Sequence, residues 1–314
     1  MLNRRNSRVK VMQVLYANAL RGEEPIHQMT RELEKSLASA RQMFFVLMDQ
    51  LVSVAEYART KHEIMAASLL PEHDEVPEIR LMSNPLLELL QSDQVWKERL
   101  RKERVTDYHD DGMTRHLFAR LSSNNIVRNY IGKPASPEDE DEQVLLAILE
   151  EVMLQDDDFE AWLEEVSAWW QDDMESTAAA AAHLIRHLQQ TSLKKQLAQM
   201  DQKRAEVEAF ARDLLTGSAE HREEYTAMIA PVATNWEVDR ITVLDMVLMR
   251  MALCEILMFP TIPVKVTINE YIDISKDYST PKSREFINGV LDKLMHRLRK
   301  EGKVLKTGRG LIET

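Results

Sequence analysis

The segment VDRITVLDMVLMRMALCEILMF, Val238–Phe259, is apolar almost all the way round a helix, with Asp245, Arg250 and Glu255 its only charges beyond the first turn. A helix without a polar face has to be enclosed by other elements. Its three charges then need partners or an interface, because an unpaired charge removed from water is costly. Eight glycines, ten prolines and abundant Leu, Met, Ala, Glu and Gln disfavour a many-stranded fold with its turn chemistry. The enclosing elements are therefore predicted to be helices, and the fold class is all-α.

The apolar spacing supports this along most of the chain. Asn6 or Ser7 can cap a first helix that carries Met12, Leu15, Tyr16 and Ala19 on one face and ends at Gly22. Helical spacing then runs from Ile26 to Leu70, until PEHDEVPE opens a predicted linker over 71–85. Helical stretches follow at 85–105 and 113–130, and the loop GKPASPEDEDE is a predicted hinge. Acidic helices come next over 139–154 and 159–173, then an alanine-rich helix from 176 leading into a run that ends near Leu215. After Gly217, helices are expected over 219–232 and 238–259. Thr267 with Glu270 offers a capping box for a helix reaching Tyr278. Thr280 and Pro281 supply the cap and first turn of a last helix. That helix contains Asn288-Gly289, a hairpin signal in other settings. Phe286, Val290 and Leu294 nevertheless recur every fourth residue, so the helix reading stands. Gly289 then costs about 1 kcal/mol against alanine, which a close helix approach could offset.

The net charge of −12 is unevenly placed. Residues 138–175 hold sixteen Asp and Glu and no Lys or Arg, so the rest of the chain sums to +4. Arg4, Arg5, Arg8 and Lys10 stand in the first ten residues without an acid, and residues 293–314 hold seven Lys and Arg against two Glu. This distribution fits basic surfaces with an acidic appendage. The single cysteine, Cys254, excludes a disulfide framework and suits a reducing cytoplasm. No stretch has the length and apolarity of a membrane span, and the start lacks the apolar core of an export signal.

Several ordered motifs resemble the family of the transcription antitermination factor NusB. NWEVDRITVLDMVLMRMALCEILMFPTIPVKVTINEYIDISKDYSTPKSREFINGVLDKL is similar to its C-terminal half, RRNSRVKVMQVLYANAL to its arginine-rich start and first helix, and FARDLLTG to its mid-chain helix. The resemblance covers about residues 1–40 and 205–300. It implies a two-subdomain helical bundle with no catalytic activity and no cofactor. It also implies binding of a short single-stranded boxA-like RNA, together with the ribosomal protein S-ten (NusE), within a transcription elongation complex on ribosomal RNA operons. The domain layout expected on this basis is a NusB-like part at 1–70, a helical, partly acidic insertion at 71–200, a second NusB-like part at 201–300 and a basic tail at 301–314.

Arg4, Arg5 and Arg8 are expected to form a flexible cationic arm suited to phosphates and unpaired bases. Lys276, Phe286 and Asn288 complete the expected RNA-binding set, with Lys265 a further phosphate contact. Spacing alone makes Phe286 a core residue, and Asn288 has no apolar role. Tyr16 and Asp245 match the positions at which the family meets NusE; without the resemblance they would be a core residue and a buried ion pair. His109, Asp110, Asp111 and His116 carry metal-type donors, but nothing in the sequence completes a shell. Trp162, Trp169 and Trp170 are expected to pack the insertion. Two other functions compete. One is a protein-interaction scaffold. The other is kinship with the NusB-like domain of ribosomal RNA cytosine methyltransferases, which would call for a catalytic cysteine and a Gly-rich cofactor loop.

Overall fold

The computed structural model describes residues 3–22, 24–66, 79–132, 139–233 and 242–311, and among them every regular element is helical. Part of the predicted linker, most of the predicted hinge and the first residues of the 238–259 helix lie outside the described residues. The α-helices are α1 (Arg4–Arg21), α2 (Ile26–Ala66), α3 (Ile79–Met82), α4 (Pro85–Ser92), α5 (Gln94–Lys102), α6 (Asp111–Arg120), α7 (Asn125–Ile131) and α8 (Asp139–Ala147). They continue with α9 (Asp157–Val166), α10 (Trp170–His187), α11 (Leu193–Glu220), α12 (Arg222–Ala233), α13 (Val243–Met258), α14 (Val264–Tyr278) and α15 (Ser283–Lys300). No helix among the described residues is long and apolar enough to cross a membrane.

The chain divides into two compact units, Ala38–Ala205 in one and Asn3–Leu37 with Glu206–Thr314 in the other. Both divisions fall inside continuous helices, α2 and α11. This corrects the expected boundary at 70/71, which rested on the break in helical spacing. α2 is described as far as Ala66, and the unit that begins at Ala38 runs on to Ala205.

In the 38–205 unit the α2 residues Phe44, Leu47, Met48 and Leu51 are fully buried, and Trp96, Leu117, Phe159 and Trp170 belong to the same core. Short helices are started here by Asx side chains. Asn84, Asp93, Asp110, Asn124 and Asp156 each accept a first-turn N–H, at the heads of α4, α5, α6, α7 and α9. Each such cap is worth roughly 1 kcal/mol. The Asp110-Asp111-Gly112 stretch is therefore a helix start, and His109 Nε2 lies 3.0 Å from Asp111 Oδ1. His116 turns instead to Asp156, at 3.0 Å. Trp170 is buried and Trp162 stacks on Phe159 with 5.6 Å between ring centres, so both pack the acidic helices from within.

Removing residues 71–200 would strand Met43, Phe44, Phe45, Leu47, Met48 and Leu51 on α2 without the partners that cover them. That deletion is expected to give an aggregating protein, whereas excising 38–205 and rejoining α2 to α11 through a short Gly/Ser linker keeps a cooperative melting transition. Scanning calorimetry of the two shortened chains separates them, and a cooperative 71–200 deletion would contradict the boundary.

In the other unit α13 is central, as its all-round apolarity requires, and it packs against α1, α12, α14 and α15. Every α13 residue from Val247 to Ile256 except Arg250 is buried. α13 starts with a capping box: Thr242 Oγ1 accepts from Asp245 N at 3.0 Å and Asp245 Oδ2 accepts from Thr242 N at 3.3 Å. α15 runs unbroken through Asn288 and Gly289. A close approach that only glycine permits occurs at Gly217 of α11, where a Cβ would lie 2.8 Å from Cys254 Sγ and 2.5 Å from Met258 Sδ.

Two predicted caps are not what the structure uses. α14 starts at Val264, so Thr267 lies inside the helix and donates from Oγ1 to Glu255 Oε1 at 2.8 Å. α15 starts at Ser283, with Thr280 Oγ1 2.8 Å from Ser283 Oγ in the turn before it. The 301–311 segment is not a free basic tail either. Thr307 N donates to Pro260 O at 3.0 Å, Lys306 Nζ to Phe259 O at 3.0 Å, and Gly310 is buried.

Candidate nucleic-acid interface

The site is built in the 3–37/206–311 unit around one buried carboxylate. Glu255 of α13 is fully buried and accepts from Arg8 Nε and Nη2, both at 2.7 Å, from Thr267 Oγ1 at 2.8 Å and from Tyr271 OH at 3.2 Å. Arg8 Nη1 also reaches Glu270 Oε2 at 3.3 Å. Burial opposes the charge on Arg8, but the hydrogen bonds and charge of Glu255 outweigh it and hold the guanidinium protonated above its ordinary value. Burial likewise pushes the Tyr271 hydroxyl well up. The network ties α1 to α13 and α14 and so sets where the start of α1 lies.

This placement corrects the cationic arm. α1 begins at Arg4, with Asn3 as its cap accepting from Asn6 N at 2.9 Å, so Arg4, Arg5 and Arg8 are all helical. Arg8 is only 3 % exposed, and its guanidinium is committed to Glu255 and Glu270. It underlies the groove at the start of α1 and has very little exposed surface of its own. Arg4 and Arg8 both lie over the Phe210 ring, at 5.3 and 5.2 Å from its centre. Arg4 remains exposed. Arg5 is half-exposed and pairs with Asp277 at 2.9 Å, an exposed ion pair of small energetic weight.

Arg4 and Arg5 share a groove with Lys265, Asn269 and Arg309. Arg4, Lys265 and Arg309 have no carboxylate within ion-pair distance among the described residues. Asn269 also lines a second groove, with Lys276, Arg284 and Asn288, so the two adjoin. Lys276 pairs with Asp273 one turn away. Asn288 is exposed on α15. Phe286 is 8 % exposed and belongs to the core, which overturns its expected role as a stacking platform; the fourfold spacing with Val290 and Leu294 was the better guide. Arg309, Arg284 and Asn269 were missed by the sequence reading. The run of Lys and Arg after α15 was the one available signal for Arg309, and nothing in the sequence said where that run folds back.

The positions expected to meet a protein partner lie elsewhere on the same unit. Tyr16 is half-buried on α1. Asp245 is 1 % exposed and forms no ion pair among the described residues: its carboxylate serves the capping box and accepts from Ser279 Oγ at 2.7 Å. A groove of about 960 Å³ on the same unit is lined by their chain neighbours Leu15 and Met246, with Ala19, Met29, Val243 and Arg250, but by neither Tyr16 nor Asp245. Arg250 is half-buried there. Burial, with the like charge of Arg222, pushes its guanidinium down to about 10. Cys254 is fully buried, and burial pushes its thiol up to about 11.

The NusB family model matches residues 174–296. Similar proteins include the transcription antitermination protein NusB of Salinibacter ruber, 45 % identical over 103 residues that make up 33 % of this chain and 64 % of that protein. Chloroherpeton thalassium has a protein of the same name, 38 % identical over 104 residues, 33 % of this chain and 49 % of the relative. That of Geobacter sulfurreducens is 40 % identical over 94 residues, 30 % of this chain and 68 % of the relative. The chain thus spans between about half and about two thirds of the length of these relatives. No solved structure matches it. The identities and the family match together show that the chain belongs to the NusB family.

Proposed function

We propose that the 3–37/206–311 unit binds a boxA-like single-stranded RNA and acts, without catalysis, as a transcription antitermination factor alongside the ribosomal protein S-ten (NusE). The observation that carries the RNA reading is the convergence of Arg4, Lys265 and Arg309 on one groove with no carboxylate partner among the described residues, in a chain whose net charge is −12. Unpaired cations held side by side on an acidic protein suit a polyanion that displaces their counterions. Asn269 and Asn288 add amide groups that can read unpaired base edges. The groove lined by Leu15, Met29, Val243 and Met246 suits the protein partner, with apolar walls for burial and the half-buried Arg250 available to an acidic side chain. The buried thiol of Cys254 is the wrong environment for a nucleophile, which weighs against a methyltransferase role.

The test is a titration of the full chain with a boxA-like RNA and a scrambled RNA of equal length, with and without the ribosomal partner. Preference for the boxA-like RNA that strengthens when the partner is added supports the reading. Equal, weak binding of both RNAs in either condition rejects it.

A further inference from the structure

We propose that the segment Lys303–Leu311 is a strap that carries Arg309 into the groove as an additional phosphate-contacting residue, an inference that rests on the RNA-binding reading above. The strap leaves the end of α15 and folds back onto the loop between α13 and α14. Lys303 N donates to Leu298 O at 3.0 Å and Thr307 N to Pro260 O at 3.0 Å. Lys306 Nζ donates to Phe259 O at 3.0 Å. Leu298 O is one of the last carbonyls of α15, which that helix leaves open, whereas Phe259 O and Pro260 O belong to the turn after α13.

The strap's last turn, Gly308–Leu311, closes with Gly310 N donating to Thr307 O at 2.9 Å. Gly308 has φ +53°, in the left-handed region that favours glycine. At Gly310 a Cβ would stand 2.0 Å from Pro260 O and 3.0 Å from Pro260 C, both backbone atoms that cannot swing aside. The two glycines let the chain press against Pro260, and the residue between them, Arg309, is thereby delivered to the groove that Arg4 and Lys265 line from α1 and α14. Arg309 itself is exposed, and no ion pair holds it among the described residues. Three separate parts of the chain thus present one cation each, without an ion-pair partner among the described residues, to a single groove; none of the three is buried, and of them Arg4 alone lies over an aromatic ring.

The experiment titrates the full chain with a boxA-like single-stranded RNA at several salt concentrations. It compares the unaltered chain with R309Q, G310V and, as the internal reference, R4Q. R309Q should weaken binding several-fold and lower the slope of log affinity against log salt by about 0.7, the loss of one single-strand phosphate contact. It should leave the melting temperature unchanged. G310V retains Arg309 but cannot seat the strap, and should weaken binding to a similar degree. If R4Q weakens binding and R309Q does not, Arg309 is no part of the site and the proposal fails while the RNA-binding reading survives. If R309Q weakens binding and G310V does not, the contact is real but the strap does not position it, which overturns that half of the proposal. Absence of RNA binding by the unaltered chain removes both.

Discussion

Arg8→Ala is expected to destabilise the 3–37/206–311 unit by about 3–5 kcal/mol, the cost of leaving one member of a buried ion pair without its partner. Arg8 is 3 % exposed and Glu255 fully buried, and the two share a bidentate contact at 2.7 Å. Removing the guanidinium leaves the Glu255 carboxylate with only the Thr267 and Tyr271 hydroxyls as donors among the described residues. Neither supplies a positive charge. Glu255→Ala should cost a similar amount, because Arg8 then keeps only the longer contact to Glu270 at 3.3 Å. The pair Arg8→Met with Glu255→Leu should cost much less than either single change, since no uncompensated charge remains inside. Denaturant unfolding of the three variants, with slopes compared to confirm a shared unfolding transition, measures the effect. A loss below about 1 kcal/mol for Arg8→Ala would mean that the network carries little of the unit's stability. This expectation reverses what an arginine-rich start implies when read as a loose arm, namely that its loss leaves folding untouched.

Replacing Arg4, Arg5 and Lys265 together by glutamine should do the opposite, weakening RNA binding severely while leaving stability near its original value. Arg4 and Lys265 are exposed and Arg5 is half-exposed, so little apolar surface is lost. The Arg5–Asp277 pair is solvent-accessible on both sides and is worth about 0–1 kcal/mol. If each cation neutralises one phosphate of a single strand, the salt slope falls by about two units. At ~0.1 M salt this corresponds to a loss of affinity on the order of 100-fold. A smaller change in slope combined with poorer discrimination between boxA-like and scrambled RNA would indicate that a guanidinium stacks on a base. An unaltered slope and affinity would move the RNA away from the start of α1 and onto the Lys276, Arg284 and Asn288 surface.

Arg8 and Phe286 show where reading the sequence for a site stops working. Both carry residue types common in RNA sites, both stand beside such residues, and both are buried in the structure. Phe286 betrayed its place through its fourfold spacing, a local signal. Arg8 gave no such sign, because the carboxylate that claims it lies 247 positions away. The acidic helices behaved differently. Trp162, Trp169 and Trp170 pointed to packing there, although the extent of the unit along α2 was not visible.

The sequence by itself determined the all-α class, the central place of α13, the segregation of charge and the kinship with NusB, since each is written in patterns no longer than a helix or in motifs kept in order. Tertiary structure alone decided the rest. Residues 37/38 divide two units inside one unbroken helix, because helical spacing reports which face is apolar and not what covers it. Thr267 lies within α14 and bonds to Glu255, because a cap is decided by where a helix starts against its neighbours. Arg309 reaches the groove beside Arg4 through a strap seated on Pro260, a juxtaposition of chain ends that depends on hydrogen bonds and a glycine contact formed only once α13, α14 and α15 have packed.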